Sequence, residues 1–278
     1  GDIPVLHMPT TYPRPNSYSF VGSKLTGNFA NFKAISDLCK KLNTTPFLFL
    51  LTIYYIVLYK YTNQQDLIVG TPVAGRNLPE ISTMIGMFVN TLVLRNKIDS
   101  NQSFADFLYV LTANCLNCFE HQSYPFDKLV DILDIPRDAS RNPIFDTMFV
   151  YQNEGNPIIH FGDIETSYYI PDNKTSKFDF LLEITPEDNS LRLNLEYKTK
   201  LFSKKFMEDF LVHYLNVLEV VLSNQDILIK DISMLSEDET TSLLHVYDKR
   251  VLSYPKDLSI IELFEEQVTK NPNGIAII

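Results

Sequence analysis

The residue types that most often carry catalysis or hold a metal are scarce in this sequence and lie far apart. Cys115 and Cys118 have the C-x-x-C spacing of a metal-binding or redox pair. A zinc site would need a second such pair or histidines, and a redox thiol would need the N-terminus of a helix. Both cysteines fall late on the apolar face of a predicted helix, and cysteine is among the most buried residue types. We therefore expect reduced, structural thiols and no metal site.

No histidine has neighbours in the sequence that would equip it for proton transfer. The chain has five histidines, and none has a cysteine, serine or acid at the spacing of a metal site or a catalytic relay. His121 lies where one predicted helix ends and the next begins, so we expect it to cap a helix C-terminus. The phosphate-binding patterns G-x-x-x-x-G-K-[ST] and G-x-G-x-x-G do not occur. Residue types and spacing therefore identify no catalytic centre.

The composition restricts the class of protein. The chain has 278 residues, of which 45% are hydrophobic and 21% charged, and its formal net charge is -10, which is typical of a soluble globular protein. The acidic excess, without a stripe of lysine or arginine, argues against nucleic acid as a partner. The longest apolar run, residues 46–59, is shorter than the roughly 18 residues that a membrane-spanning helix needs. With no secretory signal and an odd number of cysteines, we expect a cytoplasmic location.

Hydrophobic periodicity predicts a mixture of helices and strands. The predicted helices cover residues 25–42, 46–61 after an N-cap at Thr45, 103–119 with Ser103 as N-cap, a short stretch from Pro125, and 206–222. The predicted strands cover residues 66–72, 87–94, 145–151 and 164–170, with an antiparallel pair at 178–185 and 190–197. This order indicates a mixed layer of strands covered by helices, which is an α/β fold.

The composition changes near the C-terminus. Residues 236–257 are polar, residues 259–268 have the pattern of a new amphipathic helix, and residues 275–278 form an apolar strand without a successor. We therefore predict a linker followed by the start of a second domain. Because the chain also opens with Gly1 and a proline-punctuated segment, we expect it to be part of a longer protein.

Five strings together resemble successive motifs of the condensation domains of nonribosomal peptide synthetases. They are PTTYPRP at residues 9–15, VGTPVAGRN at 69–77, IGMFVNTLVLR at 85–95, HQSYPFDKLVDIL at 121–133 and RDASRNPIFDTMFVYQN at 137–153. The strings occur in the family's order. DISMLSEDE at residues 231–239 is similar to the family's exit segment, and residues 259–278 are similar to the opening of an adenylation domain.

The resemblance implies a fold and a position within it. Condensation domains have two lobes with a chloramphenicol-acetyltransferase-like α/β sandwich fold, and their HHxxxDG motif lies in the N-terminal lobe, upstream of the PTTYPRP-like string. No two histidines adjoin in this chain. The chain is therefore identified as a single, C-terminal lobe over residues 1–235, a condensation–adenylation linker at 236–258 and the truncated start of an adenylation domain at 259–278.

The reaction implied by the resemblance is amide formation between a peptidyl and an aminoacyl group, each carried as a thioester on a carrier protein. The carriers deliver the phosphopantetheine arm, so the chain itself is expected to bind no cofactor. The implied partners are the missing N-terminal lobe, the adenylation domain and the peptidyl carrier proteins. Because the second histidine of HHxxxDG is the family's catalytic centre, we expect this chain to contribute no catalytic residue and to be inactive alone.

Three other functions are compatible with the same residues. The chain could be a non-catalytic module that docks a carrier protein, or a relative that performs epimerisation or heterocyclisation. An acyltransferase that uses coenzyme A is the third, and it would need a catalytic histidine of its own.

The resemblance also suggests site residues. A floor loop within residues 69–95 and a latch near residues 153–180 would reach across to the other lobe. Arg76 or Arg95 could pair with the aspartate of the absent HHxxxDG, and the alternative is a salt bridge within this lobe. Asn90 and Thr91 lie on a predicted strand, so one of them faces inward. The inward side chain could hold a substrate carbonyl or bond to a neighbouring loop.

The last candidates stand at a predicted strand end. Gln152 and Asn153 lie where a tunnel mouth is expected, although asparagine at a strand end also forms turns. The string before that strand is expected to fix a turn through Arg137, Arg141, Asn142 and Asp146. Gly75 and Gly86 are expected to serve backbone geometry.

Overall fold

The computed structural model describes residues 2–135, 138–152, 162, 164, 173–248 and 258–275. The chain divides into two compact units, Gly1–Leu235 and Ser236–Ile278. The strands of the first unit are β1 (Gly22–Ala30), β2 (Asp66–Val73), β3 (Asn90–Lys97), β4 (Thr147–Tyr151), β5 (Phe180–Glu187) and β6 (Ser190–Lys198). Its helices are α1 (Phe32–Lys41), α2 (Pro46–Thr62), α3 (Pro79–Ser82), α4 (Phe104–Glu120), α5 (Phe126–Leu133) and α6 (Lys204–Ser223), with a 3-10 turn at Ile229–Asp231.

The six strands form one sheet in the order β1-β6-β5-β4-β2-β3. The pairs β2–β4 and β4–β5 are parallel, and the other neighbours are antiparallel. The C-terminal ends of β2, β4 and β5 therefore meet at one edge of the sheet, here called the carboxyl edge, and their starts meet at the opposite edge. In open α/β sheets the carboxyl ends of parallel strands are where ligands bind.

Helices α1, α2, α4 and α6 cover one face of the sheet. Their buried side chains form one continuous core with alternate sheet residues such as Val69, Leu94, Phe149 and Leu182. The opposite face of β2 and β4 carries a smaller apolar cluster, packed against α5 and centred on Ile68, Ile144, Phe145 and Met148. The mixed sheet with helices that the sequence predicts is therefore observed.

Helix α2 is the centre of the larger core. Every residue from 48 to 58 is buried, because β4 and helices α1, α4 and α6 all pack against it. Its tyrosine hydroxyls have partners, as buried hydroxyls require: Tyr54 bonds to Thr147 Oγ1, and Tyr55 donates to the Leu94 carbonyl at 2.6 Å. The predicted helix and its N-cap at Thr45, which accepts from Leu48 N, are confirmed.

Length and apolarity of the helices bear on membrane insertion. Among the described residues, no single helix is long and apolar enough to cross a membrane. The pair α1 and α2, bent by 99°, would qualify by length and composition alone.

The predicted helix at residues 25–42 is wrong in its first half. Strand β1 occupies Gly22–Ala30, and α1 covers only Phe32–Lys41. From Ser23 to Ala30 the odd-numbered residues are more buried than the even-numbered ones, which is the period of a strand. Phe29 fits both this period and the helical one, which explains the error. Asn31, at φ 78°, separates the two elements and caps α1 by accepting from Ala34 N.

The predicted strand at residues 87–94 begins later than expected. Strand β3 starts at Asn90, which pairs with the last residue of β2, Val73. Met87 and Val89 therefore lie beyond the paired part of β2 and are exposed. Residues 165–170 and 276–278, which belong to two predicted strands, lie outside the described residues.

The other predicted elements of the first unit are confirmed within a few residues. These are strands β2 and β4, the antiparallel pair β5 and β6, and helices α4, α5 and α6. Helix α4 begins where expected, because Ser103 Oγ accepts from Asp106 N at 3.1 Å.

The described part of the second unit, residues 236–248 and 258–275, contains helices α7 (Glu237–Asp248) and α8 (Ile260–Lys270). Helix α8 confirms the predicted helix at residues 259–268 and begins with a capping box between Ser259 and Glu262. Helix α7 lies inside the predicted linker. Ser236 Oγ caps it by accepting from Glu239 N at 3.1 Å, and an acidic first turn favours a helix N-terminus. A polar composition is therefore compatible with helix in this segment.

The burial of α2 predicts the effect of truncating its side chains. Leu51 is 0% exposed, so Leu51→Ala is expected to lower the free energy of unfolding by about 2–5 kcal/mol, through lost apolar burial and a residual cavity. Leu116→Ala, on the exposed side of α4, is the matched control and is expected to change it by less than about 0.5 kcal/mol. Urea unfolding of the full chain measures both, and equal effects would contradict the assigned core.

Candidate functional site

The carboxyl edge contains a cavity of about 350 Å³. It is formed by the ends of β2 and β4, the N-terminal turn of α2 and the C-terminal end of α4. The described residues that line it are Thr45, Pro46, Phe47, Thr71, Pro72, Val73, Ala74, Phe119, Gln122, Val150 and Tyr151. None of them is acidic, basic or a histidine. The cavity therefore offers hydroxyls, an amide, the positive end of a helix dipole and apolar contacts, but no carboxylate, imidazole or amine among the described residues. Its one titratable side chain in that described lining is Tyr151, and burial raises the pKa of this phenol to about 12.

A larger cavity of about 510 Å³ lies at the opposite edge, where β4 begins. Its polar lining includes Asp138, Arg141 and Asp146, and the last two belong to a cluster of ion pairs described below. The carboxyl edge is the better candidate for substrate, because ligands of α/β sheets bind at the carboxyl ends of parallel strands and because Asn90, Thr91 and Gln152 lie at this edge. None of the described site residues that the sequence predicts lines the cavity itself. Arg95 lies toward the opposite edge, where it binds Asp66 at the start of β2.

Asn90 connects the start of β3 to the turn between α4 and α5. Its side-chain amide donates to the carbonyls of Gln122 and Tyr124 at 2.8 and 2.7 Å, and its Oδ1 accepts from Phe126 N at 3.2 Å. Both amide hydrogens are thus used within the protein. Of the two predicted roles for Asn90, the structure contains the bond to a neighbouring loop. Thr91, the next residue, pairs with Pro72 and lies on the opposite face of β3.

Arg95 forms a salt bridge within this unit. Its Nε and Nη2 donate to the two carboxylate oxygens of Asp66 at 2.9 and 2.8 Å, and Nη2 also donates to the Asp2 carbonyl at 3.0 Å. These hydrogen bonds lower the pKa of Asp66 and raise that of Arg95. Of the two predicted roles for Arg95, the structure contains the internal salt bridge.

Arg76 binds backbone carbonyls. Its Nη1 donates to the carbonyls of Ile81 and Met84 at 2.5 and 2.8 Å, and its Nη2 donates to that of Gly86 at 3.1 Å. The guanidinium also lies 4.5 Å from the ring centroid of Phe88. No carboxylate among the described residues pairs with it. Arg76 therefore holds the loop between α3 and β3 rather than forming an ion pair in the described structure.

Gln152 lies at the carboxyl edge, directly after β4. Its backbone N–H donates to the Ile184 carbonyl at 2.9 Å, and its exposed side-chain Nε2 lies 3.4 Å from Glu183 Oε2. The carboxylate of Glu183 also accepts from Asn194 Nδ2 at 3.2 Å. Asn153 and most of the predicted latch lie outside the described residues.

The cysteine pair and His121 have the structural roles that the sequence predicts. Cys115 is buried and Cys118 half-buried. Burial raises the pKa of the Cys115 thiol to about 12 and also raises that of Cys118, so neither is a ready nucleophile. His121 is the C-cap of α4, and its Nδ1 lies 2.9 Å from the Asn117 carbonyl oxygen.

The comparisons with known proteins agree on one family. The family model for the condensation domain matches residues 1–244, which is most of the chain. This chain belongs to the condensation-domain family. It is 41% identical over 251 residues to gramicidin S synthase 2 of Brevibacillus brevis, an alignment that covers 89% of this chain and 6% of that protein. It is also 41% identical over 246 residues to tyrocidine synthase 3 of Brevibacillus parabrevis, covering 88% and 4%. The chain thus spans a small fraction of the length of these relatives.

Solved structures give the same fold. A holo four-domain nonribosomal peptide synthetase bound to AMP and glycine superposes with a TM-score of 0.77 at 24% identity, covering 84% of this chain and 19% of that one. The X-domain from teicoplanin biosynthesis superposes with a TM-score of 0.76 at 18% identity, covering 84% and 54%. The fold is the chloramphenicol-acetyltransferase-like α/β sandwich of condensation domains, as expected from the motif strings.

In this condensation domain the motif strings at residues 9–15 and 137–153 also meet, at the edge opposite the carboxyl edge. They form a cluster of ion pairs there that sequence reasoning missed. Asp146 and Asp179 directly precede β4 and β5. Arg14, from the PTTYPRP string, pairs with Asp179, and Lys198 Nζ lies 3.2 Å from Asp179 Oδ1. Arg141 Nη1 lies 2.5 Å from Asp146 Oδ2. The predicted turn is present, because Arg141 N donates to the Asp138 carbonyl at 3.2 Å. Asn142 Nδ2 donates to the Lys177 carbonyl at 3.1 Å, and Arg137 lies outside the described residues.

Asp146 is the most perturbed carboxylate of this cluster. Burial and the neighbouring Asp179 carboxylate raise its pKa to about 6, although Arg141 and Arg14 act in the opposite direction. One of its oxygens, Oδ1, is buried without a hydrogen-bond partner among the described residues. Asp146 stands between Phe145 and the β-branched Thr147 at the start of a predicted strand, so its burial was foreseeable from the pattern. Its partner Arg141 is close in sequence, but Arg14 and Asp179, which also act on its charge, are distant in sequence and were not foreseeable.

The raised pKa of Asp146 predicts a pH dependence of stability. An unfolded aspartate ionises near pH 4, so between about pH 4 and 6 the folded state holds a proton that the unfolded state has lost. The stability that this proton supplies is present at the acidic end and is lost as the pH rises through about 6. The unfolding free energy of the wild type relative to Asp146→Asn is therefore expected to fall by about 2–3 kcal/mol across that window and then to stay level.

Urea unfolding of both chains at closely spaced pH values measures this difference. Asp37→Asn, on the exposed side of α1, controls for the loss of a surface carboxylate. A difference between the wild type and Asp146→Asn that stays constant from pH 4 to 7 would show that Asp146 titrates normally.

Proposed function

We propose that this chain is the C-terminal lobe of a condensation domain in an elongation module of a nonribosomal peptide synthetase. The domain would form the amide bond between a peptidyl and an aminoacyl group that two carrier proteins hold as thioesters. The observation that carries the proposal is a cavity at the carboxyl edge whose described lining has no carboxylate, imidazole or amine, in a chain that aligns with only 54% of one similarly folded domain and 55% of another.

The chemistry of amide formation supports a chain that positions the reactants while another lobe accepts the proton. The nitrogen of an uncharged amine attacks the thioester carbonyl and the new N–C bond forms. The C–S bond breaks and releases the thiolate of the donor carrier's phosphopantetheine arm, and a proton must leave the nitrogen. Positioning the two reactants supplies much of the acceleration, and a general base takes the proton. The lining hydroxyls, amide and apolar side chains suit positioning. The proton acceptor would be the histidine of HHxxxDG in the N-terminal lobe.

The loop before β3 supports the existence of a partner lobe. Five of the apolar side chains in residues 78–89 are exposed, and Ile85 and Met87 are 103% and 94% exposed. The others are Leu78, Met84 and Val89. Exposed apolar side chains concentrated in one segment are typical of a protein interface. We assign it to the N-terminal lobe, in agreement with the resemblance of this segment to the family's floor loop.

The remaining partners follow from the same proposal. Carrier proteins would deliver the phosphopantetheine arm, so this chain would hold no cofactor of its own. Residues 236–258 would be the linker and residues 259–278 the start of an adenylation domain. Helix α8 exposes Ile260, Ile261 and Phe264 on one side, an apolar face that the rest of such a domain would cover. The cytoplasm would be the compartment of the reaction.

Reconstitution tests the proposed function. The full chain is mixed with donor and acceptor carrier proteins loaded with a peptidyl and an aminoacyl thioester, with and without the N-terminal lobe of the same synthetase. Amide product, measured by mass spectrometry, is expected only when both lobes are present. A lobe in which the second histidine of HHxxxDG is replaced by alanine is the control and is expected to give no product.

Two outcomes would contradict the proposal. Product formation by this chain alone would mean that it contains its own proton acceptor. Binding of labelled carrier protein without any product when both intact lobes are present would favour a docking module instead.

A further inference from the structure

The loop at residues 78–89, here called the Arg76 loop, has little apolar interior to hold its shape. Ile81 and Phe88 are half-buried, and the other ten residues are exposed. Its own backbone hydrogen bonds are local, from Ile81 N to the Leu78 carbonyl at 3.1 Å and from Met84 N to the Ile81 carbonyl at 3.3 Å. Local bonds of this kind define a short turn but do not close a loop of this length.

The guanidinium of Arg76 occupies the centre that apolar side chains would otherwise fill. It donates to three carbonyls along the loop, those of Ile81, Met84 and Gly86, and packs on the ring of Phe88. Hydrogen bonds from a charged donor are stronger than neutral ones. The planar fork also directs N–H groups from two separate nitrogens in fixed directions, whereas the three N–H groups of a lysine ammonium share a single nitrogen. One side chain therefore connects the first, middle and last thirds of the loop.

Gly75 lets the loop close back on the strand before it. Its φ is +65°, and a Cβ at this position would lie 1.9 Å from the Phe88 carbonyl oxygen. Only glycine accepts both the positive φ and this approach. The end of the loop is thus held against the residue that immediately precedes Arg76.

We propose that Arg76 is a positioning residue, which holds the Arg76 loop in the conformation that presents Ile85 and Met87 to the partner lobe. The identity of that partner rests on the proposed function, whereas the effect on the loop does not. A loop that is already ordered loses less conformational freedom on binding, so preorganisation strengthens association. Arg76 would therefore act on docking through the backbone of the loop.

The first experiment measures the order of the loop in the full chain. Arg76→Lys keeps the charge and removes the fork. Amide hydrogens of residues 78–89 are expected to exchange about tenfold faster or more, while the urea midpoint stays that of the wild type because the loop lies outside the core. Arg192→Lys is the matched control, since Arg192 binds Glu187 at 2.8 Å and does not touch the loop.

A fluorescent reporter gives an independent readout. The chain has no tryptophan, so a single one introduced as Met87→Trp reports on the loop tip alone. Its fluorescence anisotropy is expected to fall when Arg76→Lys is added and to stay unchanged when Arg192→Lys is added. Unchanged exchange and anisotropy in Arg76→Lys would overturn the positioning role.

The second experiment measures affinity for the N-terminal lobe of the same synthetase. Arg76→Lys is expected to weaken binding about tenfold or more, and wild-type affinity in this variant would overturn the role in docking. Ile85→Ser is expected to weaken binding without changing amide exchange, which separates contact from positioning. If the wild-type chain binds no lobe, the proposed function fails, while the exchange experiment still decides whether Arg76 orders the loop.

Discussion

Two carboxylates buried at the starts of adjacent parallel strands constrain the arrangement of the sheet. Asp146 and Asp179 would be very costly to bury without partners, and three cations from distant parts of the chain surround them: Arg14, Arg141 and Lys198. Arg14 lies in the N-terminal segment and Lys198 on β6. The cluster therefore fixes the N-terminal segment and strands β4, β5 and β6 at one edge, and it leaves the carboxyl edge available for a site.

At the carboxyl edge, two of the polar side chains that the motifs nominate bind the protein's own backbone. Asn90 holds the turn between α4 and α5, and Arg76 holds the loop before β3. Arg95, which binds Asp66, completes the β2–β3 pair. These residues of the motif strings thus hold the protein's own loops and strands in place. Shape and proximity, rather than proton transfer, are what this chain contributes under the proposed function.

Most of the fold was predictable because its signals are local. The apolar run and N-cap that predict α2 are adjacent in the sequence. The same is true of the cap that predicts α4 and of the two strands of the β5–β6 hairpin. β1 was mistaken for helix because Phe29 fits two periods, and α7 was missed because its cap and acidic turn resemble a linker. The partners of Asp179 and Asn90 were not predictable, since ion pairs across the sheet and bonds to backbone carbonyls have no pattern in one sequence. The motif strings led to Arg76 and Arg95 as candidates, but the sequence did not show which groups these two side chains bind.

The most direct test of the account asks whether any imidazole of this chain takes the proton during amide formation. In the intact synthetase, each histidine is replaced by glutamine in turn, and single-turnover amide formation is measured for His7, His121, His160, His213 and His245. The account predicts rates within a few-fold of the wild type for all five, because general-base catalysis contributes about 100-fold or more and the base lies in the other lobe. A loss of about 100-fold at any one of them, in a folded protein, would contradict it.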